Sequence, residues 1–260
     1  MKDEIIKSEY LPNQEFKTKK ELFRALKLIK DELIEGKKSV VRTSETVKTF
    51  VLKSLETIKG LEQKEGYSYH VINTTNFYDS HKDLHGYNIW DESVVNEKGT
   101  IEFALDHSLD LSSRITFAKD VNMILTPLKW RDVGVDSDGE TNALIFEIKE
   151  TDIVSDTALK IIQKNLPVQH SVRMQYEDIT FGVDDDSDEF KEEKVIYDNA
   201  IKHAINKDEV TKEGYLFYVT KAKISQEGSM VDKGSNSATP ILQKKKKETS
   251  IKVAVNRYIF

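Results

Sequence analysis

The stretch VQHSVRMQYEDITF, residues 168–181, predicts a β-strand that begins directly after a helix. Apolar residues at helical spacing indicate that helix over 153–166, and Pro167 marks its end. Alternating apolar and polar residues predict further strands, and residues 194–206 predict another helix. The strands lie at 67–71, 101–105, 114–118, 121–126, 143–149 and 215–224. Strands grouped in this way, with helices inserted, indicate an α+β fold with a mostly antiparallel β core.

Residues 1–65 precede this core and predict a helical extension. Thr18 and Glu21 form a capping box, in which a hydroxyl and a carboxylate satisfy free N–H groups at a helix start, and Gly36 offers the stop. The apolar positions of this helix are Leu22, Leu26, Ile29 and Leu33. A second amphipathic helix is predicted from Ser44 to Gly60. The two helices predict a helical hairpin whose apolar faces must be covered.

Charge is unevenly distributed over the rest of the chain. A main domain is predicted at 66–243, and within it the acidic run from Asp184 to Glu193 is predicted to be a loop. A basic tail at 244–260 begins with four consecutive lysines. This tail is either a flexible segment or an electrostatic contact with an acidic partner.

The composition narrows the classes of function that the chain can have. Its 260 residues are 38% hydrophobic and 32% charged, with a net charge of −6, which disfavours binding of nucleic acid over the whole surface. There are no cysteines, which excludes thiol nucleophiles, disulfides and thiolate zinc sites. The N-terminus lacks an apolar signal stretch, and no run approaches the roughly 18 apolar residues that span a bilayer. We therefore expect a soluble intracellular protein that makes no membrane contact.

Three short segments, far apart in the chain, could supply one hydrolytic site. They are Asp106-His107-Ser108, Gln169-His170-Ser171-Val172 and Glu227-Gly228-Ser229-Met230-Val231. Hydrolysis of a peptide through an acyl-enzyme needs a nucleophile, a base that takes its proton and a group that holds the base. Ser171, His107 and Glu227 have the chemistry for these roles, in that order. Each also has a plainer interpretation: a small hydroxyl on a strand, a surface imidazole and a solvated carboxylate.

The other histidines offer weaker signals. His81 and His85 would share one face of a helix and could begin a metal site, although the weak helical periodicity of this segment favours a loop. His170 is the neighbour of Ser171, but adjacent strand residues point to opposite faces, so a core contact is expected for it. The glycines form no phosphate-binding loop and no dinucleotide motif, and no cofactor is predicted.

Taken together, the three segments resemble the prohead protease family of tailed bacteriophages, serine proteases that mature capsids. The resemblance covers residues 67–242. The motifs that carry it are Asp79–His85, Ile89–Ser93, Asp106-His107, His170-Ser171-Val172, Glu227-Gly228-Ser229-Met230-Val231 and Gly234-Ser235-Asn236. Two positions depart from the family pattern, because Arg173 and Thr116 stand where glycine is usual.

The resemblance implies a serine endopeptidase with a barrel-like β core similar to that of the herpesvirus assembly proteases. Ser171 would be the nucleophile, His107 the base and Glu227 the group that orients the base, with no metal and no cofactor. The implied substrates are the scaffold protein, the major capsid protein and the protease itself, inside the assembling prohead in the host cytoplasm. Specific binding of nucleic acid is not implied. A homo-oligomer stays open, because herpesvirus relatives pair through a helix.

Two other functions stay open. The first is a catalytically inactive structural or scaffolding component of the phage head that keeps the protease fold, and Arg173 and Thr116 favour it. The second is a metal-dependent hydrolase that uses His81 and His85. Ser171 Oγ and His107 within hydrogen-bond reach, or nearly so in an unliganded form, would favour the protease over the structural component, and loss of activity with chelators would indicate the metal-dependent hydrolase.

Overall fold

A computed structural model describes residues 5–39 and 61–242. The described part is 31% helix and 34% strand, which confirms the α+β class. The helices are α1 (Lys19–Leu28), α2 (Lys30–Ser39), α3 (Ser93–Asn96), α4 (Asp156–Lys164), α5 (Lys191–Ile201) and α6 (Lys207–Glu213). The strands are β1 (Tyr67–Thr74), β2 (Asp83–His85), β3 (Glu102–Leu105), β4 (Arg114–Thr116), β5 (Val121–Lys129), β6 (Glu140–Lys149), β7 (Gln169–Val183), β8 (Tyr215–Val231) and β9 (Ile241–Leu242). None of the helices in these two ranges has both the length and the apolar character needed to cross a bilayer.

The strands form two sheets. The first has the order β5-β6-β1-β9 and is antiparallel throughout. The second has the order β2-β8-β3-β4, and β7 also pairs with β8 along most of its length. Because β2 and β3 run parallel to β8 while β7 runs antiparallel to it, the second sheet is mixed.

Within the described residues neither sheet closes, so the prediction of a barrel-like core is wrong. Closure requires the hydrogen bonding to continue from the last strand back to the first. In the second sheet β2 and β3 share one edge of β8, at 217–219 and 227–230, while β7 occupies the opposite edge. In the first sheet the described residues of β9, Ile241 and Leu242, pair with β1. The two sheets are joined instead by side chains, where β1 meets β7.

The helix predicted before β7 is α4. Ser155 caps it by accepting a hydrogen bond from Ala158 N at 3.2 Å, and Asn165 ends it in the left-handed conformation. Each predicted strand of the core is present as one of β1 and β3 to β8. The late strand is longer than expected, because it continues past residue 224 to Val231.

The N-terminal helix pair covers the first of the two predicted helices and continues past its predicted end at Gly36 to Ser39. Thr18 caps α1 by accepting a hydrogen bond from Glu21 N at 3.2 Å, as the capping box predicted. The helix is interrupted at Ile29 and resumes as α2. The stop predicted at Gly36 is wrong, because Gly36 lies inside α2. The second predicted helix, 44–60, and the basic tail, 244–260, lie outside the described residues.

The acidic run binds α1, and the prediction of a simple loop is wrong for its second half. Lys20 and Arg24 pair with Glu189 at 3.1 and 2.8 Å, and Lys27 pairs with Glu193 at 2.8 Å. Glu189 lies in a short 3-10 turn, and Glu193 lies in the first turn of α5. The hydrogen bond from Arg24 lowers the pKa of Glu189 to about 2. The negative charge of the run is thus matched by the basic face of an N-terminal helix.

A buried ion pair joins α2 to the core. The side chain of Lys37 is 2% exposed and pairs with Asp83, which is fully buried. Tyr176 donates a hydrogen bond to Asp83 Oδ2 at 2.8 Å, and His85 Nε2 lies 3.0 Å from the Tyr176 oxygen. The Lys37 ammonium also lies 4.3 Å from the centroid of the Phe217 ring. Buried charges need such partners, since the loss of water around them costs several kcal/mol per ion.

Gly228 lies where β8 passes close to the first sheet. A Cβ atom at this position would lie 2.6 Å from Phe146 Cε2 and 3.2 Å from Ile72 Cγ2. We expect Gly228→Ala to lower the free energy of unfolding by about 1–3 kcal/mol, because the buried neighbours must leave their preferred rotamers. Urea unfolding measures this change.

Gly36→Ala is the matched control for this substitution. No atom of the described residues lies within 4 Å of a Cβ atom built at Gly36. Alanine is favoured over glycine in a helix by about 0.5–1 kcal/mol, so this variant should be slightly stabilised. Equal stability of the two variants would contradict the close packing of Phe146 on Gly228.

Two buried histidines connect the sheets. His170 Nδ1 donates to the carbonyl oxygen of Thr239 at 2.8 Å, so His170 Nε2 accepts from His70 Nδ1 at 3.1 Å. His70 Nε2 in turn accepts from the Ser68 hydroxyl at 2.9 Å. Burial lowers the pKa of His170 to about 4 and that of His70 well below its ordinary value. His170 is thus a core residue, as its position on the strand predicted.

The burial of His70 and His170 predicts that the protein loses stability in mild acid. The pKa of His170 is lower in the folded protein (about 4) than in the unfolded chain (6.5). Between these values the unfolded chain binds a proton that the folded protein does not, so stability falls as the pH falls through this window. We expect His170 to contribute about 2 kcal/mol to the loss between pH 7.5 and pH 5, measured by urea unfolding as the part of the loss that His170→Gln removes, because buried His70 adds a loss of its own. The same loss in His170→Gln would contradict the assignment to His170.

Candidate active site

The strand β3 ends in a turn that positions His107. Asp106 and His107 have left-handed backbone conformations, with φ of 48° and 56°. Such conformations cost about 1–3 kcal/mol per residue and persist where the surroundings hold them. Two hydrogen bonds to β8 do so here, from Asp106 N to Met230 O at 3.0 Å and from His107 N to Ser229 Oγ at 3.2 Å. The backbone of the turn that carries the imidazole is therefore fixed to β8.

His107 and Glu227 are in direct contact. His107 Nδ1 lies 2.8 Å from Glu227 Oε1, and the side chains are 10% and 0% exposed. A carboxylate oxygen accepts hydrogen bonds, so we assign the proton of the neutral imidazole to Nδ1 and a lone pair to Nε2. Nε2 is buried and has no hydrogen-bond partner among the described residues. This is the tautomer that a general base requires.

Ser171 lies on the neighbouring strand, and the register of β7 and β8 pairs it with Ser229. Residues that face each other in an antiparallel pair project to the same face of the sheet. Ser229 in turn donates to Glu227 Oε2 at 2.5 Å and accepts from His107 N. Ser171 is 6% exposed. The described residues leave His107 Nε2 unpartnered, so no hydrogen bond joins the Ser171 hydroxyl to it in this structure.

The sequence did not identify Ser229 as part of this cluster. It follows Glu227 by two residues, and strand residues two apart lie on one face, so the spacing was a usable signal. The expectation of a solvated Glu227 required a loop at 225–231, whereas this segment is the second half of β8 and is paired on both edges. The carboxylate is consequently buried and held by three side chains.

Arg173 is the third of these side chains. Its Nε donates to Glu227 Oε1 at 3.0 Å, its Nη1 to Gln226 Oε1 at 3.3 Å and its Nη2 to the carbonyl oxygen of His107 at 2.7 Å. The side chain is 21% exposed. Arg173, which stands where the prohead protease pattern has glycine, thus contacts both His107 and Glu227.

Thr116, the other departure, lies apart from this hydrogen-bond cluster. It is fully buried on β4, and its hydroxyl donates to the carbonyl oxygen of Asp152 at 2.9 Å. It pairs with Phe103 of β3. We therefore assign it a role in holding the 150–152 segment against the sheet.

The two histidines considered for metal binding have different surroundings. His85 Nε2 lies 3.0 Å from the Tyr176 hydroxyl, whereas His81 Nε2 is buried and has no hydrogen-bond partner among the described residues. Across 5–39 and 61–242, no group of three or more histidine, aspartate and glutamate side chains is arranged to hold a metal ion. His81 does not join His85 in such a group.

The chain was compared with protein-family models, with curated proteins and with solved structures, and none of these gave a match. The resemblance to the prohead proteases therefore rests on the motifs alone.

Proposed function

We propose that the protein is a serine endopeptidase of the prohead type, which cleaves peptide bonds in scaffold protein, capsid protein and itself. The observation that carries this proposal is the state of His107. Its Nδ1 is bound to a buried carboxylate, and its Nε2 has no hydrogen-bond partner among the described residues, while its backbone N–H binds Ser229, the residue that the strand register pairs with Ser171. A neutral imidazole held in this way is suited to take a proton from a hydroxyl.

In the proposed reaction, His107 Nε2 takes the proton of the Ser171 hydroxyl as Oγ attacks the carbonyl carbon of the substrate. Glu227 stabilises the imidazolium that forms, and this imidazolium returns the proton to the leaving amine. The acyl group is then on Ser171. Water repeats the sequence with His107 as base, releasing the acid product and restoring the hydroxyl.

The absence of a hydrogen bond between Ser171 and His107 is compatible with this role. Catalytic hydrogen bonds are often long in unliganded enzymes and shorten when the substrate binds.

Two reactions test the proposal. The protein is mixed with the capsid and scaffold proteins of a prohead, and separately with a serine-directed phosphonate. We expect peptide cleavage and a phosphonate adduct that peptide mapping assigns to Ser171, both lost in Ser171→Ala. Ser137→Ala is the control, since the Ser137 hydroxyl donates to the carbonyl oxygen of the neighbouring Asp138, at 3.4 Å, and lies outside the cluster of His107 and Glu227. Equal cleavage by wild type and Ser171→Ala would refute the assignment.

One observation favours a second function, that of an inactive structural component of the phage head. Arg173 and His107 share Glu227 Oε1, so the carboxylate is already paired with a permanent cation. A former active site that now serves only to hold the fold together would have the same contacts around Glu227. If the wild type binds capsid or scaffold protein but forms no phosphonate adduct and no cleavage product, this second function is the better assignment.

A further inference from the structure

We propose that Arg173 is a positioning residue that holds His107 and Glu227 in one fixed arrangement. The inference rests on the proposed function, and it extends that function to a residue that the family pattern does not predict. Arg173 lies on β7, two residues after Ser171. Its guanidinium therefore links the strand of the nucleophile to the acid and to the turn of the base.

The guanidinium reaches both segments of the site that contain left-handed residues, the Asp106–His107 turn and Gln226. One contains His107, with φ of 56°, whose carbonyl oxygen accepts from Nη2. The other is Gln226, with φ of 68°, whose side-chain oxygen accepts from Nη1. Gln226 directly precedes Glu227, which accepts from Nε. A single side chain thus fixes the two backbone segments whose strain would otherwise favour relaxation.

The shape of the side chain explains why arginine serves here. Three nitrogens in a planar group point in different directions, and each has its own acceptor. Lysine has one nitrogen on a flexible stem and cannot reach the three acceptors in the same geometry. Arg173→Lys should therefore keep a positive charge near Glu227 but lose the bridge to His107.

The bond from Arg173 to Glu227 Oε1 also limits how this carboxylate can rotate. Oε1 receives Arg173 Nε and His107 Nδ1, and Oε2 receives the Ser229 hydroxyl. Without Arg173, a fully buried carboxylate loses one of its donors, and the Asp106–His107 turn loses its carbonyl partner. We infer that His107 and Glu227 would then separate or fluctuate, which lowers the rate of proton transfer.

Two measurements test the role of Arg173. The first is the downfield proton resonance of His107 Nδ1–H, recorded in the inactive Ser171→Ala protein, where it reports the bond to Glu227 without turnover. We expect this resonance in Ser171→Ala and its loss by exchange when Arg173→Gln is added. The second is the cleavage rate, in which Arg173→Gln should lower kcat by about 10²-fold with KM nearly unchanged.

Arg173→Lys should give intermediate values, and it decides the question if Arg173→Gln does not fold. Arg131→Gln is the control, because Arg131 is 63% exposed and pairs with solvent-exposed aspartates. A retained Nδ1–H resonance in the arginine variants would overturn the inference, whether or not kcat falls. If the wild type cleaves nothing, the proposed function fails, while the resonance still shows whether Arg173 holds the pair.

Discussion

Replacement of His107 by alanine should abolish nearly all cleavage, with a loss in kcat of about 10²–10⁴-fold, the usual worth of a general base. Nε2 is the only atom of this imidazole that can take the serine proton, because Nδ1 is bound to Glu227. Assays with capsid and scaffold protein, followed by mass spectrometry of the products, measure the loss. His203→Ala, at an exposed histidine, should retain full activity.

Glu227→Gln should cost less than His107→Ala, and the contacts of the carboxylate explain why. Arg173 Nε and His107 Nδ1 both donate to the Oε1 position, so the amide oxygen of glutamine would occupy it. The amide nitrogen would then face Ser229 Oγ, which can accept a hydrogen bond. The Nδ1–H tautomer is preserved, and only the charge that stabilises the imidazolium is lost. A larger loss in Glu227→Gln than in His107→Ala would contradict the assignment of the base.

Replacement of Lys37 by methionine should destabilise the protein by about 3–5 kcal/mol. The substitution removes the cation that faces Asp83, and this carboxylate is fully buried. The contact of the ammonium with the Phe217 ring is lost at the same time. Urea unfolding at neutral pH measures the change in the free energy of unfolding. Lys7→Met is the control, because the Lys7–Glu15 pair is exposed and should contribute less than about 1 kcal/mol.

A double-mutant cycle separates the ion pair from the packing of the lysine stem. Asp83→Asn keeps an acceptor for the Tyr176 hydroxyl and removes the charge. Combined with Lys37→Met, it should recover part of the loss, because no unpaired charge then remains buried. Additive losses in the double variant would show that Lys37 and Asp83 do not interact.

The sequence predicted the elements whose pattern is local. The strand at 168–181 and the helix before it are recognisable from periodicity, from Pro167 and from polar caps, and all of these act within a few residues. The open shape of the sheets was not predictable in this way. It depends on β2 and β3 sharing one edge of β8, which is a property of pairings between distant segments.

The candidate site shows the same division. The motifs named His107, Ser171 and Glu227, and the fold brings His107 and Glu227 together across 120 residues. Only the register of β7 and β8 reveals that Ser171 faces Ser229. The contacts of Arg173 could not be predicted, because they depend on a left-handed turn at His107 that the sequence does not mark with glycine.

The anchoring of α2 by Lys37 bears on how long a self-cleaving enzyme would last. After a cut between Ser39 and Leu61, the two N-terminal helices would stay attached through noncovalent contacts, which include the ion pairs of Arg24 and Lys37. If these helices dissociated, the buried Asp83 carboxylate would lose its ion pair with Lys37, and the Phe217 ring would lose its contact with the same ammonium group. Each cleaved molecule would keep its fold until the helices dissociate. The dissociation rate of the helices would therefore set the lifetime of the cleaved protein. Concentrated salt would shorten this interval, because it weakens the pairs with Glu189.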